Sequence, residues 1–314
     1  MLSPQKIKDL EKQGYRIVGN HSCIKVCLWC KKSLIDKDAC YKNKFYGIKS
    51  WQCVQMSVSL NTCTNRCLWC WRDIEFTVPK WNGPVDEPAE IIDGCVKAHT
   101  KYLMGFLGNK NTDKERFMEA LKPRHFAISL ISESTFYPKL PEFIDRLHER
   151  GLTSFLVTNG SNPEMLEKLL KHQPTQLYIT LPAPNEEIFT KACNPLVKNG
   201  WQQIMKSLSL LKRFSCRKAI RLTLVKGVNM LNPEQYAEIL KNADADFFEF
   251  KAYMHVGYSQ QRLGIENMPL HEEIKRFAAE VGSKAGLKLV DEKPESRVVL
   301  LMRKDRKDRI MRFG

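Results

Sequence analysis

The sequence contains no hydrophobic run near the roughly 20 residues that a membrane-spanning helix needs. Its opening stretch, residues 1–14, is charged throughout and so lacks the apolar core of a secretory signal. No stretch is rich in proline, glycine or serine, so nothing marks a flexible linker between domains. These absences argue against membrane and secreted classes. They predict a cytoplasmic chain with no membrane partner, and a monomer is the default expectation.

Acidic residues are scarce relative to basic ones, since 35 Asp and Glu oppose 50 Lys and Arg and the net charge is +15. Residues 1–53 carry eleven basic and four acidic side chains, residues 201–231 seven and none, and residues 297–314 seven and two. Lysine and arginine that bind phosphates release condensed counterions, so this excess favours a polyanionic partner. Nucleic acid is the preferred interpretation, and a merely solvated surface is the alternative.

The eleven cysteines do not indicate a disulfide framework, because thiols stay reduced in the cytosol. Eight of them lie between Cys23 and Cys70, and such clustering is typical of metal ligands. The other three, Cys95, Cys193 and Cys216, stand alone and are interpreted as small buried hydrophobes.

After residue 70 the chain alternates between short apolar runs and helical patterns, and one further strand candidate precedes that point. Runs of 6–9 residues rich in β-branched and aromatic side chains predict six buried strands. The predicted strands are Gln52–Leu60, His125–Ile131, Thr153–Thr158, Gln176–Leu181, Ala219–Val225 and Phe247–Tyr253. The predicted helices are Pro88–Gly105, Pro138–Arg150, Asn162–His172, Glu186–Ala192, Gly200–Arg213 and Asn232–Asn242. Residues 268–302 add a further helix and a hairpin-like pair, Leu287–Val290 and Arg297–Met302.

Six β–α units in series predict an α/β fold with a parallel sheet and right-handed crossovers. An open doubly wound sheet and a complete or partial TIM-like (β/α) barrel both fit, and both bind ligands at the carboxyl ends of their strands. We predict the barrel, formed by residues 51–302. Residues 1–50 are expected to form an irregular, cysteine-rich cap that is not an independent domain, and residues 303–314 a basic tail.

Cys63, Cys67 and Cys70 have the spacing C-x3-C-x2-C and follow the first predicted strand. Three thiolates on one short loop can hold three irons of a [4Fe–4S] cluster and leave the fourth iron without a protein ligand. That iron can chelate S-adenosylmethionine, and one electron passed into the sulfonium would release a 5′-deoxyadenosyl radical. A structural zinc site is the alternative, although it normally needs four ligands.

Two other cysteine patterns compete with this triplet. Cys23, Cys27 and Cys30 repeat the same spacing, but they follow no plausible strand and precede the β–α repeat. Cys27, Cys40 and Cys53 are thirteen residues apart each time, and wide spacing suits ligands from separate loops around a second cluster.

With these motifs the chain resembles the archaeal 4-demethylwyosine synthases, radical S-adenosylmethionine enzymes of wybutosine biosynthesis. The resemblance runs over nearly the whole chain. The matching stretches are residues 25–29, 40–48, 63–72, 157–160 and 253–259. It implies condensation of N1-methylguanosine, 3′ of the anticodon in phenylalanine tRNA, with two carbons of pyruvate to give a tricyclic base. The reaction starts with removal of a hydrogen from the N-methyl group.

The resemblance also assigns roles within the cysteine-rich segment. Cys27, Cys40 and Cys53 fall at the positions of the family's second [4Fe–4S] cluster, and Cys23 and Cys30 are interpreted as bystanders. Eukaryotic members carry a flavin domain that supplies electrons. This chain is too short to include one, so a separate electron-donor protein is expected.

The resemblance implies that pyruvate is held as a Schiff base on Lys42, directly after Cys40. Lys49 is a second candidate, for acid–base help. Beside a cluster and among other lysines an ammonium is disfavoured, so the neutral amine that attacks a carbonyl becomes available. The alternative for both lysines is a grip on tRNA phosphates.

Radical enzymes of this kind usually carry a Gly-Glu-Pro turn after the second strand, which contacts the amino group of S-adenosylmethionine. Here Glu133 is kept, but Ser132 and Ser134 replace the glycine and the proline. Backbone carbonyls of the turn can still accept from the amino group, so we keep Ser132 and Glu133 as cofactor contacts. The further candidates, with structural hydrogen bonding as their alternative role, are Asn159, Thr180 and Arg221.

Other functions remain open from the sequence. One is another radical S-adenosylmethionine enzyme, such as a methylthiolase or an activating enzyme for a glycyl-radical protein, which would ignore pyruvate. The other is a non-enzymatic RNA-binding protein that contains zinc.

Overall fold

The structure is a computed structural model that describes residues 2–36 and 38–313. Its strands are β1 (Arg16–Val18), β2 (Ser22–Ile24), β3 (Cys53–Ser57), β4 (His125–Ile128), β5 (Thr153–Thr158), β6 (Gln176–Thr180), β7 (Arg217–Leu224), β8 (Phe247–Ala252), β9 (Lys288–Lys293) and β10 (Val298–Met302). All six predicted strands of the repeat, β3 to β8, are confirmed, with ends shifted by at most three residues. The predicted hairpin-like pair is confirmed as β9 and β10.

Eleven α-helices are present in the described residues. They are α1 (Pro4–Lys12), α2 (Leu28–Ile35), α3 (Tyr41–Tyr46), α4 (Pro88–Leu103), α5 (Lys114–Ala120), α6 (Leu140–Glu149), α7 (Pro163–Leu169), α8 (Glu186–Cys193), α9 (Gly200–Leu210), α10 (Pro233–Asn242) and α11 (His271–Ala285). The six predicted crossover helices are confirmed as α4 and α6 to α10. Sequence reasoning missed α5, which follows α4 within the same crossover.

The strands form one sheet in the order β1-β2-β3-β4-β5-β6-β7-β8-β10-β9. Strands β3 to β8 are parallel, and each pairs with its neighbour in sequence. A doubly wound sheet would reverse its strand order at a switch point. The sequential order therefore decides for the partial (β/α) barrel, with antiparallel strands added at both edges.

The two faces of the parallel strands pack differently because side chains alternate along a strand. Leu156, Leu177 and Ile220 face outward and pack in the large core beneath the helices. Their neighbours Phe155 and Tyr178 face the barrel interior.

Helix α3 fills that interior from the amino-terminal end of the strands. Its Tyr41, Phe45 and Tyr46 pack against Phe155 and against Phe247, the first residue of β8. The Cys63 loop follows the carboxyl end of β3. The loop and α3 therefore approach the same interior from opposite ends.

The expectation of an irregular N-terminal segment was wrong. The described residues of this segment, 2–36 and 38–50, contribute three helices and two strands, and β2 pairs antiparallel with β3 through Cys23 opposite Ser57. Strands β1 and β2 have only three residues each, too few for a strand pattern to be recognised in the sequence, so neither was predicted.

The C-terminal residues do not project as a free tail in the part that the structure describes, which ends at Phe313. Met311 N donates to Tyr46 O at 2.9 Å, and Arg309 Nη1 donates to Phe45 O at 3.1 Å. This segment closes over the end of α3. No helix of the described chain has the length and apolar character that a membrane crossing requires.

Candidate functional site

The loop that carries Cys63, Cys67 and Cys70 is fixed by backbone hydrogen bonds. Cys63 N donates to Val78 O at 2.9 Å, and Cys70 N donates to Cys67 O at 3.0 Å. Leu68 N donates to Ala192 O at 3.0 Å, which ties the loop to the end of α8. These hydrogen bonds hold the loop against α8 and against the segment around Val78.

A buried arginine, Arg72, lies among the three sulfurs. Burial alone would lower the pKa of its guanidinium, but Cys70 and Cys63 raise that pKa, and the net shift is upward. Burial raises the pKa of the Cys63 thiol to about 12, against the effect of Arg72. Such a thiol becomes a thiolate when iron binds it, since a coordinating metal deprotonates its thiol ligand. The charge of Arg72 then offsets part of the negative charge of a cluster.

A second loop clamps the first. The backbone N of Tyr258 donates to Trp71 O at 2.9 Å, and Arg262 Nε donates to Leu68 O at 3.1 Å. Gly257 has φ of +60°, and a Cβ at this position would lie 2.5 Å from Trp71 O. Only glycine permits this approach, which explains part of the specific 253–259 stretch.

The turn after β4 carries the predicted cofactor contacts Ser132 and Glu133. Ser132 adopts φ of +62°, the left-handed conformation that glycine takes without strain. Its Oγ is buried and has no hydrogen-bond partner among the described residues. A buried hydroxyl without a partner next to the cysteine loop fits a bound group that supplies one.

The Glu133 carboxylate is fully used within the protein. It accepts from Thr158 Oγ1 and from Asn159 N, both at 2.7 Å, and from Thr135 Oγ1 at 2.8 Å. Burial raises its pKa, and the hydrogen bond from Asn159 opposes that shift. Glu133 therefore fixes the ends of β4 and β5 relative to each other.

Asn159 links this turn to the cysteine loop. Its Nδ2 lies 3.6 Å from Cys63 Sγ and 3.4 Å from Thr64 Oγ1. Of the predicted contacts, the structure brings Ser132, Glu133 and Asn159 together with the loop.

Cys27, Cys40 and Cys53 come from three separate elements: Cys27 and Cys40 precede the first residues of α2 and α3, and Cys53 opens β3. Burial, and then Cys40, raise the pKa of Cys27 to about 11. Burial, and then Cys27, raise the pKa of Cys53 to about 12. These mutual effects show that the three thiols are neighbours.

Cys30 lies near the same group. Its backbone N donates to Cys27 Sγ at 3.3 Å, and its fully buried thiol has a pKa raised by burial and then by Cys27 and Cys53. Among the described residues, no three His, Cys, Asp or Glu side chains converge on a point that could hold one metal ion.

Lys42 lies on α3 and is half-buried in the barrel interior. Its ammonium is 4.8 Å from the centre of the Tyr178 ring and 5.7 Å from that of Phe155. Within the described residues it has no carboxylate at ion-pair distance. Burial, and then the positive charge of Arg221, lower its pKa. A neutral amine is the form that attacks a carbonyl.

Lys49 has a different environment. Its Nζ pairs with the two carboxylate oxygens of Glu119 at 3.1 and 3.2 Å, and Trp51 Nε1 also donates to Glu119, at 2.6 Å. The structure thus gives Lys49 an anionic partner that Lys42 lacks, and a part in proton transfer stays a prediction.

The structure places Arg221 close to Lys42. Its Nη2 donates to Tyr41 Oη at 2.6 Å, and its guanidinium pairs with Glu249 Oε2 at 2.8 Å. Thr180 lies directly opposite Arg221 in the sheet. A contact of either residue with S-adenosylmethionine stays a prediction.

Sequence reasoning missed Glu249 and Lys251, although β8 carries a signal for them. The two ionisable residues are two positions apart in an otherwise apolar strand, Phe247–Ala252, and so share its inner face. Arg262 had no comparable signal, because its contact with Leu68 O joins distant parts of the chain. Arg72 is close in sequence to the cysteines, but no local pattern indicates that its side chain is buried among them.

Comparison with known proteins agrees with this geometry. The model of the radical SAM superfamily matches residues 57–243, and that of wyosine base formation matches residues 242–303. The S-adenosyl-L-methionine-dependent tRNA 4-demethylwyosine synthase of Pyrococcus abyssi is 46% identical, over 96% of this chain and 90% of its own length. The corresponding enzyme of Methanocaldococcus jannaschii is 38% identical, over 98% of both chains.

A solved structure of TYW1 with a lysine–pyruvate adduct bound is similar to the chain over 99% of its length and 100% of that protein, at 36% identity and a TM-score of 0.89. The expected enzyme class is confirmed. The chain belongs to the S-adenosylmethionine-dependent tRNA 4-demethylwyosine synthases of the radical SAM superfamily.

Proposed function

We propose that this chain forms the tricyclic base of 4-demethylwyosine in tRNA by condensing N1-methylguanosine with two carbons of pyruvate. The proposal depends on one observation: the cysteine loop and the helix that carries Lys42 approach the same barrel interior from opposite ends. The Cys63 loop closes the carboxyl end of β3, and Lys42, an amine with a lowered pKa and no anionic partner in the described chain, enters from the other end. A radical source and a carbonyl-binding amine are the two parts that this condensation needs.

Cys63, Cys67 and Cys70 hold the [4Fe–4S] cluster in this proposal. When bound, the cluster and S-adenosylmethionine supply the radical that takes a hydrogen atom from the N-methyl group. The chain's own part is to fix the loop, through Leu68 and Arg262, and to place the Arg72 charge among the sulfurs. Electrostatic stabilisation by fixed groups costs no reorganisation at the moment of reaction.

Ser132, Glu133, Asn159, Thr180 and Arg221 are the proposed contacts and supports of S-adenosylmethionine. The unpartnered Ser132 Oγ supports a direct contact. Glu133 acts by holding Asn159, because its oxygens already accept four hydrogen bonds from the protein.

Cys27, Cys40 and Cys53 hold the second [4Fe–4S] cluster in the proposal. The proximity of the three thiols supports this assignment, and so does their origin on three separate elements. Three cysteines would bind three of the four irons and leave the fourth without a cysteine. Lys42 follows Cys40 by two positions, so an amine and that cluster would share one substrate.

Lys42 binds pyruvate covalently in this scheme. The lone pair of its neutral amine attacks the keto carbon, the nitrogen gives up its two protons, and the keto oxygen takes up two protons and leaves as water, so that a Schiff base remains. Lys49 is the proposed acid–base helper.

The proposal also covers the partners of the enzyme. The tRNA is held by the basic regions 201–231 and 297–314, and a separate protein donates electrons. The enzyme acts as a cytoplasmic monomer.

Trapping of pyruvate tests the assignment of Lys42. Borohydride reduction of the anaerobic, cluster-loaded enzyme with labelled pyruvate should fix one label on the tryptic peptide that contains Lys42. Lys42→Gln should abolish the label and the tricyclic product. Lys44→Gln is the matched control, since Lys44 is on the same helix but is exposed and pairs with Asp291.

Label that persists in Lys42→Gln would refute the lysine assignment. Product formed without pyruvate would refute the condensation and favour another radical enzyme of the superfamily.

A further inference from the structure

The barrel interior around α3 contains more positive than negative charge. Arg221 on β7 and Lys251 on β8 point inward, and Lys42 enters from α3. The single carboxylate in this group is that of Glu249, which is fully buried.

The Glu249 carboxylate already has three partners within the protein. It accepts from Tyr46 Oη at 2.6 Å and Tyr41 Oη at 3.2 Å, and it pairs with Arg221 at 2.8 Å. The carboxylate therefore neutralises Arg221 and has little capacity left for a lysine.

Lys251 lacks an anionic partner. Its Nζ donates one hydrogen bond, to Ser296 O at 2.7 Å, and no carboxylate of the described chain lies at ion-pair distance. An ammonium has three donors, so two of them are unused. Burial, and then Arg221, lower its pKa to about 8. Lys251 is partly buried, a position in which a cation without a counterion is costly, and a bound anion would remove that cost.

Lys251 and Lys42 share their surroundings. The Lys251 ammonium is 5.7 Å from the ring centre of Tyr41, the residue before Lys42. Arg221 bridges the two, because its guanidinium lies 5.9 Å from the Tyr41 ring and 4.8 Å from the Tyr178 ring that Lys42 also contacts.

We infer that Lys251 binds the carboxylate of the 2-keto acid whose carbonyl reacts with Lys42. The inference rests on the proposed function of Lys42. The carboxyl carbon of pyruvate is bonded directly to the keto carbon, so one substrate molecule presents an electrophile to one lysine and an anion to the other. Arg221 is less suited to be that anchor, because Glu249 already neutralises its charge through contacts with Nε and Nη2.

This assignment gives the site its selectivity. A neutral carbonyl compound can form a Schiff base with Lys42, but it leaves Lys251 without a counterion. The enzyme should therefore prefer pyruvate to pyruvamide, in which an uncharged amide replaces the carboxylate.

The test compares these two probes. Borohydride trapping on Lys42 is measured against concentration for pyruvate and for pyruvamide, in the anaerobic cluster-loaded enzyme and in Lys251→Met, which keeps the length of the side chain and removes its charge. In the wild type the half-saturating concentration should be at least about ten times lower for pyruvate. In Lys251→Met that value should rise at least about tenfold for pyruvate and stay within about twofold for pyruvamide. Tenfold corresponds to about 1.4 kcal/mol.

Lys218→Met is the matched control, since Lys218 is a buried lysine of β7 that pairs with Asp244. It should change neither value. Lys251→Arg should restore at least part of the preference for pyruvate.

Three results would overturn the inference. Equal half-saturation by both probes in the wild type would show that the carboxylate is not recognised, and this measurement needs no variant to fold. Equal losses for both probes in Lys251→Met would show a purely structural role, through Ser296. Absence of trapping on wild-type Lys42 would instead remove the proposed function on which the inference rests.

Discussion

The ion pair between Arg221 and Glu249 gives the sharpest stability prediction. The Glu249 side chain is wholly buried, the Arg221 side chain is 15% exposed, and their contact is 2.8 Å. Removing one partner of a buried pair leaves an uncompensated charge, which typically costs about 3–5 kcal/mol. Glu249→Gln keeps an oxygen acceptor for Tyr41 and Tyr46 and removes the charge. We expect it to lower the free energy of unfolding by about 3 kcal/mol or more.

Two controls separate this effect from a general intolerance of substitution. The double variant Arg221→Met with Glu249→Gln removes both charges, and it should be at least about 1 kcal/mol more stable than Glu249→Gln alone. Glu187→Gln breaks an exposed pair with Lys191 and should leave the urea midpoint essentially unchanged, since the two side chains are 73% and 68% exposed.

The assay is urea unfolding of the anaerobic cluster-loaded protein, followed by far-ultraviolet circular dichroism. The same samples are tested for borohydride trapping of pyruvate, because Tyr41 and Tyr46 connect Glu249 to the helix that carries Lys42. A Glu249→Gln variant within about 1 kcal/mol of the wild type would refute the argument that this carboxylate holds the interior together.

Three further predictions concern the clusters, pH and backbone strain. Iron and sulfide analysis of the anaerobic protein should give about eight irons per chain, and Cys63→Ala and Cys53→Ala should each lose about four, whereas Cys30→Ala should lose none. A loss with Cys30→Ala would contradict its interpretation as a bystander. Burial lowers the pKa of His99 to about 4 from 6.5, so its contribution to stability is full above pH 6.5 and is lost as the pH falls towards 4. Between pH 7 and pH 5 the wild type should lose about 2 kcal/mol more than His99→Phe, and equal pH dependence would contradict this. Ser132→Gly should raise the free energy of unfolding by up to about 1 kcal/mol, measured as a higher urea midpoint, because φ of +62° strains serine and not glycine. A destabilised variant would show that the contacts of the serine side chain stabilise the protein by more than its backbone strain costs.

The same physics explains which parts of the fold could be predicted. Strands β5 and β6 begin at the predicted residues, because a buried parallel strand needs a short continuous apolar run that stands out in the sequence. Strands β1 and β2 have three residues each and no such run, so their place in the sheet depends on pairing with β3. Local patterns specify long elements, and long-range pairing specifies short ones.

The candidate site divides in the same way. The spacing of Cys63, Cys67 and Cys70 is a local property, and the structure places all three around one buried residue, Arg72. The sequence predicts Glu133 as a cofactor contact, and in the structure its carboxylate accepts hydrogen bonds from Thr158 and from the backbone of Asn159. The sequence identifies the residue type at such a position, but it does not show which groups of the folded protein form hydrogen bonds with that residue.

By itself, the sequence determined the β–α repeat, the cysteine loop after its first strand and the resemblance that names Lys42, because each depends on residues close together along the chain. Only the tertiary structure decided that the strand order is sequential, that Cys27, Cys40 and Cys53 are near enough to shift each other's pKa, and that α3 enters the barrel beside Arg221, Glu249 and Lys251. These facts depend on the register of neighbouring strands and on which side chains share the barrel interior. Residues more than 150 positions apart then shift each other's pKa, and a local sequence pattern cannot indicate such a contact.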